Sequence, residues 1–199
     1  MTFRFLRLVT SALVVSSVAA ACSSKAPATD AYVSAQVIGG PNCLVEDQGL
    51  FLIGSDTTDG GGISSNPTRV QTGTNQGGTV TITCSVKASG SNYNIELSAL
   101  LDSQQAGAGG SLTITGTVDS TMGAQSDISA TFVGGGNTYE ESDCSISYPA
   151  NPPGGPVQPG RIWGSISCPN ATEAGKVTSS GQAVSCQLSA LFVFENCAT

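Results

Sequence analysis

The sequence predicts an all-β domain, two antiparallel sheets packed as a sandwich or closed as a barrel, held by about three disulfides. Three observations predict it. Apolar and polar residues alternate through most segments, a helical period is almost absent, and clusters of Gly, Ser, Asn and Asp interrupt the alternation at short intervals. The disulfides are predicted by the cysteine count, seven in a chain of 199 residues, which suits an oxidising compartment.

The strands follow in order. Residues 32–38 form a first short strand, and residues 49–53 an apolar run of the kind buried on both faces. Residues 79–87 alternate, with Val80, Ile82, Cys84 and Val86 on one face and Thr79, Thr81, Thr83 and Ser85 on the other. Residues 93–101, 112–118, 128–132 and 144–148 repeat the pattern, and residues 161–168 and 184–194 supply the last two strands. Two segments break the rhythm. Residues 149–160 hold five prolines and should form an extended, polyproline-like connection, because proline cannot donate to a central ladder. Residues 170–181 are the one plausible short helix, since Ala171, Glu173, Ala174 and Lys176 tolerate it before Gly181.

The first 21 residues read as an export signal: Arg4 and Arg7 form a basic start, and the apolar run up to Ala20 is too short to span a bilayer. The stretch Val18-Ala19-Ala20-Ala21-Cys22 resembles the lipobox of bacterial lipoproteins, in which small residues precede a cysteine that is acylated and becomes the mature N-terminus. Ala19 stands where lipoboxes usually carry Leu, and Ala19-x-Ala21 also fits ordinary secretory cleavage. The resemblance implies a lipid anchor on Cys22 and says nothing about residues 31–199; residues 22–30 read as a flexible tether from their polar composition without an apolar period, and residues 31–199 are long enough for a single β domain. Ser23 stands where an Asp would resemble an inner-membrane retention signal, so the outer membrane is the expected destination in a two-membrane cell, with plain secretion as the alternative.

Cysteine parity favours lipidation. Assigning Cys22 to the lipid leaves Cys43, Cys84, Cys144, Cys168, Cys186 and Cys197, an even set that can pair completely. Cys168 and Cys186 each fall in phase with core residues of neighbouring strands, so a bridge between them is expected, closing a loop of roughly 18 residues worth about 3 kcal/mol. Cys84 would then reach Cys43, and Cys144 would reach Cys197. A weak internal echo lies behind this pairing. Thr81-Ile82-Thr83-Cys84 matches Ser165-Ile166-Ser167-Cys168, and Leu97-Ser98-Ala99-Leu100 matches Leu188-Ser189-Ala190-Leu191, as two hairpins with different loops would.

Composition excludes much chemistry. Without histidine there is no Ser-His-Asp or Cys-His nucleophile, and the commonest metal ligand is missing. No cysteine spacing is CxxC and no glycine run continues into a phosphate-binding Lys, so neither metal nor cofactor is expected. Removing Arg4 and Arg7 with the leader leaves five basic against fourteen acidic residues, net −9, a charge that repels nucleic acid. Carboxylates remain as acid and base candidates: Glu140, Glu141 and Asp143 before Cys144, and Glu46 and Asp47 after Cys43. A glycosidase needs two such groups roughly 5 to 9 Å apart, but an aromatic content of 6% is poor lining for a polymer cleft. Asp56-Thr57-Thr58-Asp59-Gly60 has the look of a calcium-loop start, yet Pro67 stands where the closing Glu is needed. Trp163 falls on the polar face with Arg161, Ser165 and Ser167, either as a sugar-stacking platform with Arg161 beside it or as a cover under the prolines. The expected function is a non-catalytic surface lipoprotein with a structural role in the envelope or a role in binding an envelope protein or glycan. A small carboxylate-dependent hydrolase and a secreted binding module are the alternatives.

Overall fold

The computed structural model describes residues 26–199 except 40–41, 44–47, 57–61, 76–77, 104–108 and 122–124. The export signal, Cys22, Glu46, Asp47 and Thr57 to Gly60 lie outside the described residues.

The chain is all-β and antiparallel, with three disulfides, as the alternation predicts. Its strands are β1 (Asp30–Ile38), β2 (Gln48–Ile53), β3 (Val70–Gln71), β4 (Gly73–Asn75), β5 (Gly78–Ser89), β6 (Asn92–Ser103), β7 (Gly110–Asp119), β8 (Gln125–Gly134), β9 (Asn137–Ser147), β10 (Val157–Gln158), β11 (Arg161–Val177) and β12 (Ala183–Glu195). Of the two forms weighed, they take the barrel-like one. A single sheet in the order β2-β1-β12-β11-β9-β8-β7-β6-β5-β4 curls into a half-barrel, with β10 on β11 and β3 on β1. The curl brings the edge strand β2 within reach of β6 and β8. Strands with one apolar face can bury it by wrapping the sheet around its own core.

The concave face carries that core. Val80, Ile82 and Val86 of β5, Ile95, Leu97 and Ala99 of β6, Ile114 of β7, Phe132 of β8 and Phe192 and Phe194 of β12 are all buried. Phe192 lies over Gly164, where an added Cβ would stand 2.9 Å from the ring.

Two short segments tie β5 to the opposite side of the curled sheet. Residues 70–75 run from β1, paired through β3, to β5, paired through β4, and the Thr72 hydroxyl accepts the Ile82 N–H at 2.9 Å on the way. The C-terminus forms the second. Val86 N–H donates to Ala198 O at 2.9 Å, Ala198 N–H to Cys84 O at 3.0 Å, Cys197 N–H to Gly160 O at 2.9 Å and Gly160 N–H to Val86 O at 3.0 Å.

The internal echo is structural. Cys84 stands opposite Leu97 and Ile82 opposite Ala99 in the β5–β6 hairpin, as Cys168 stands opposite Leu188 and Ile166 opposite Ala190 in β11–β12.

Three local expectations are corrected. The helix over 170–181 is instead the continuation of β11 followed by a turn in which Gly181 N–H donates to Thr178 O. Thr172 pairs with Ser185 on one side and Glu140 on the other, and two ladders outweigh a modest helical propensity. Residues 149–160 are not an extended polyproline run, because Gly154 and Gly155 take φ of +75° and +93° and Gly155 N–H donates to Pro152 O. That turn delivers β10 onto β11.

The disulfides also pair differently from the expected Cys168–Cys186, Cys43–Cys84 and Cys144–Cys197: they are Cys43–Cys186, Cys84–Cys197 and Cys144–Cys168. Cys168 faces Leu188 while Cys186 faces Ala171, so the expected partners are staggered along the ladder and out of bridging range. Across the other ladder Ser167 faces Ser145 and Ile166 faces Ile146, which sets Cys168 opposite Cys144 at a Cα–Cα distance of 4.4 Å.

Candidate functional site

The sequence singles out Trp163 and Arg161, and the fold places them at the start of β11 on the convex face. The indole is buried, with 2% of its surface exposed, between Tyr32 of β1 and Val193 of β12, with Ile63 and Leu52 packed around them. Its backbone N–H donates to Pro156 O at 2.8 Å. Arg161 lies over the ring at 5.0 Å from the centroid, and Arg69 at 5.9 Å. The ring nitrogen donates to Glu195 Oε1 at 2.9 Å.

These contacts correct the sugar-platform expectation. A stacking platform needs a free ring face, and here cations and apolar side chains cover it. The covering role expected as the other possibility is the one observed, although Tyr32, Val193 and two arginines do most of it together with the proline-bearing segment.

Glu195 organises the cluster. Its carboxylate lies 3.1 Å from Arg161 Nε and 3.5 Å from Arg69 Nη2, and Arg69 Nε lies 3.6 Å from Asp30 Oδ2. Arg69 Nε, Arg161 Nε and Asp30 Oδ1 are buried without a hydrogen-bond partner, so the two Nε contacts act through charge. Burial pushes the Asp30 carboxyl above its ordinary range, with the Arg69 charge working against that and Glu195 adding to it. Two guanidiniums and an indole N–H hold the Glu195 carboxylate, which makes it a clamp between β12, β11 and the segment before β3. Sequence reasoning missed Asp30, Arg69 and Glu195. The three are distant in sequence, and only the ladder that sets Asp30 opposite Glu195 brings them together.

The carboxylates before Cys144 form a second constellation. Glu140 is exposed and Glu141 half-buried, and both line a hollow of about 460 Å³ with Ala130, Thr131, Asn170 and Thr172. Asn170 N–H donates to Glu141 Oε2 at 2.8 Å. Burial raises the Glu141 carboxyl, the Asn170 bond opposes that, and Asp143 adds to it. A Glu141 carboxylate oxygen and the sulfurs of Cys144 and Cys168 lie within 4.8 Å of one another. Asp56, at the start of the calcium-like segment, accepts the Ser64 N–H at 2.8 Å and so serves the loop before β3.

Elsewhere the convex face is a hydroxyl surface. Thr83, Ser98, Thr113, Thr131, Glu140, Thr172 and Ser185 face one another in turn across seven neighbouring strands. A hollow of about 340 Å³ over β5, β6 and β7 is lined by Thr83, Ser85, Glu96, Ser98, Thr113 and Thr115.

Fold and site together define a disulfide-bonded, curled antiparallel β domain with a polar convex face and an ionic clamp around its lone tryptophan. No protein-family model, curated protein or solved structure matches the chain.

Proposed function

We propose that the chain is a non-catalytic lipoprotein of the bacterial cell envelope, anchored by an acyl group on Cys22 and presenting its β domain to an envelope protein or glycan. One observation carries the reading: every cysteine after Cys22 is used in an internal disulfide, so Cys22 is the one left over. Three disulfides fit an oxidising compartment outside the cytoplasm, and the lipobox-like residues before Cys22 supply the modification.

The start of the domain suits a short tether. Thr29 Oγ1 donates to Asn196 O at 3.0 Å, and Asn196 Nδ2 donates to Ala28 O at 3.2 Å, so the chain is pinned beside the end of β12. The few residues between Cys22 and that pin reach about 20 to 25 Å when extended, which holds this end of the barrel toward the bilayer. The hydroxyl face, polar and poor in aromatics, is the surface offered to a partner.

Mass analysis of the N-terminal peptide from cells fed heavy-isotope palmitate tests the anchor. The expected result is a diacylated or triacylated Cys22 that disappears, with release from the membrane fraction, in Cys22→Ala. An unmodified Cys22 in the mature protein overturns the anchor in favour of plain secretion. Hydrolysis of a polysaccharide that is lost in Glu141→Gln would overturn the non-catalytic part in favour of a carboxylate-dependent hydrolase.

A further inference from the structure

We propose that the convex face of β5 to β9 docks an extended, basic segment of a partner protein, with Glu96 and Glu140 as the two points that hold its cationic side chains. This rests on the binding role proposed above and narrows the partner to a cationic polypeptide.

Charge is distributed unevenly over the chain. Residues 78–147, from the start of β5 to the end of β9, hold seven acidic residues and one basic residue, Lys87. The other cations of the described residues are occupied: Arg69 and Arg161 by Asp30 and Glu195, and Lys176 by Glu173. Neither Glu96 nor Glu140 belongs to an ion pair among the described residues, and both are exposed.

Single solvated carboxylates are ordinary on a surface, but these two share one setting. Glu96 stands between Ser85 of β5 and Thr115 of β7, and Glu140 between Thr131 of β8 and Thr172 of β11. Each therefore has a hydroxyl on both flanking strands, at positions where an opposite charge would stabilise the ladder. Each also lines a hollow, of about 340 Å³ at Glu96 and about 460 Å³ at Glu140. A hollow around an unpaired carboxylate has room for a guanidinium or an ammonium group, and the hydroxyls beside it can accept the remaining N–H groups.

The spacing suits a chain that lies across the strands. Three strand gaps and a two-residue offset separate Glu96 from Glu140, so they stand about 16 Å apart. An extended segment advances about 3.4 Å per residue, and basic side chains about five residues apart reach both carboxylates at once. Ser98 and Thr113 lie between them and offer donors and acceptors to the segment's backbone. Neither hollow is lined by an aromatic ring on which a sugar could stack, and the negative charge repels phosphate-bearing partners.

The test titrates the full mature chain, purified in detergent, with a fluorescent peptide of Gly, Ser and Thr that carries arginines about five residues apart. Fluorescence anisotropy should show saturable binding that weakens as salt is raised. Glu96→Gln/Glu140→Gln should weaken it about tenfold, the sum of two exposed ion pairs. Asp102→Asn/Asp127→Asn removes the same charge from exposed positions outside the two hollows and should leave most of the affinity. Equal weakening by the two double variants would mean attraction to net charge alone and overturns the site. Absence of peptide binding also overturns it, as does preference for a neutral chitin oligosaccharide over the peptide, which would make the face a glycan surface. The acyl state of Cys22 does not enter the titration, so an unmodified Cys22 overturns the anchor and leaves this result standing.

Discussion

Glu195 is the side chain on which the convex cluster turns, because it is the acceptor for the indole and the counter-charge for two guanidiniums at once. Glu195→Gln keeps an acceptor but leaves Arg69 and Arg161 facing each other over Trp163 without that charge. The expected loss is about 1 to 3 kcal/mol, the range for disturbing partly buried charged contacts. Urea unfolding followed by the fluorescence of the only tryptophan reads it directly. Glu141 and Asp30 make a different statement. Burial raises both carboxyls, so the folded protein holds their protons more tightly than the unfolded chain does. Their contribution is complete below the unfolded values and is lost as pH rises through the raised folded ones. Urea midpoints from about pH 4 to about pH 7 should carry a falling component, smaller in Glu141→Gln. An unchanged slope in that variant would assign the fall to other groups.

Within the elements, packing between strands decides what alternation leaves open. Gly164 faces Phe192 across the β11–β12 ladder, and the ring occupies the space a side chain would need. Gly164→Val should therefore cost about 1 to 3 kcal/mol by overpacking. Adding Phe192→Leu should recover part of that loss, a coupling that a double-mutant cycle by chemical denaturation measures. Such pairings also explain which parts were legible in the sequence. The alternation of β5 and β6 could be read because each strand keeps one face buried along most of its length. The sheet position of residues 170–177 could not, since it depends on Glu140 and Ser185 flanking Thr172 on both sides. The disulfides show the same division. Phase alone correctly turned Cys168 and Cys186 toward the core, but partner choice needs the register, which puts Cys144 and not Cys186 opposite Cys168. Trp163 and Arg161 drew notice as an aromatic and a charge on a polar face, whereas Arg69 and Glu195 carried no local signal and became part of the cluster only through topology.

For the whole molecule, the three disulfides have unequal tasks. Cys144–Cys168 joins adjacent strands 24 residues apart, whereas Cys43–Cys186 and Cys84–Cys197 span 143 and 113 residues. Loop-closure entropy alone ranks them at about 3.5 kcal/mol for the short loop and about 5 kcal/mol for each long one. The Cys84–Cys197 bridge has a further role, since it fixes the C-terminal segment whose backbone joins β5 to the turn before β11. Removing residues 197–199 takes away the bridge and the Cys197 and Ala198 hydrogen bonds together, leaves the Gly160 N–H to Val86 O bond, and uncovers part of the β5 edge beyond the short strand β4. An uncovered edge is a template for another chain. The truncated protein should therefore lose more stability than Cys144→Ser/Cys168→Ser and should self-associate in sedimentation velocity, while the double-serine variant behaves as the intact protein does. If the truncation sediments like the intact protein and unfolds at a higher urea concentration than the double-serine variant, the C-terminal segment is not what holds β5 within the curled sheet.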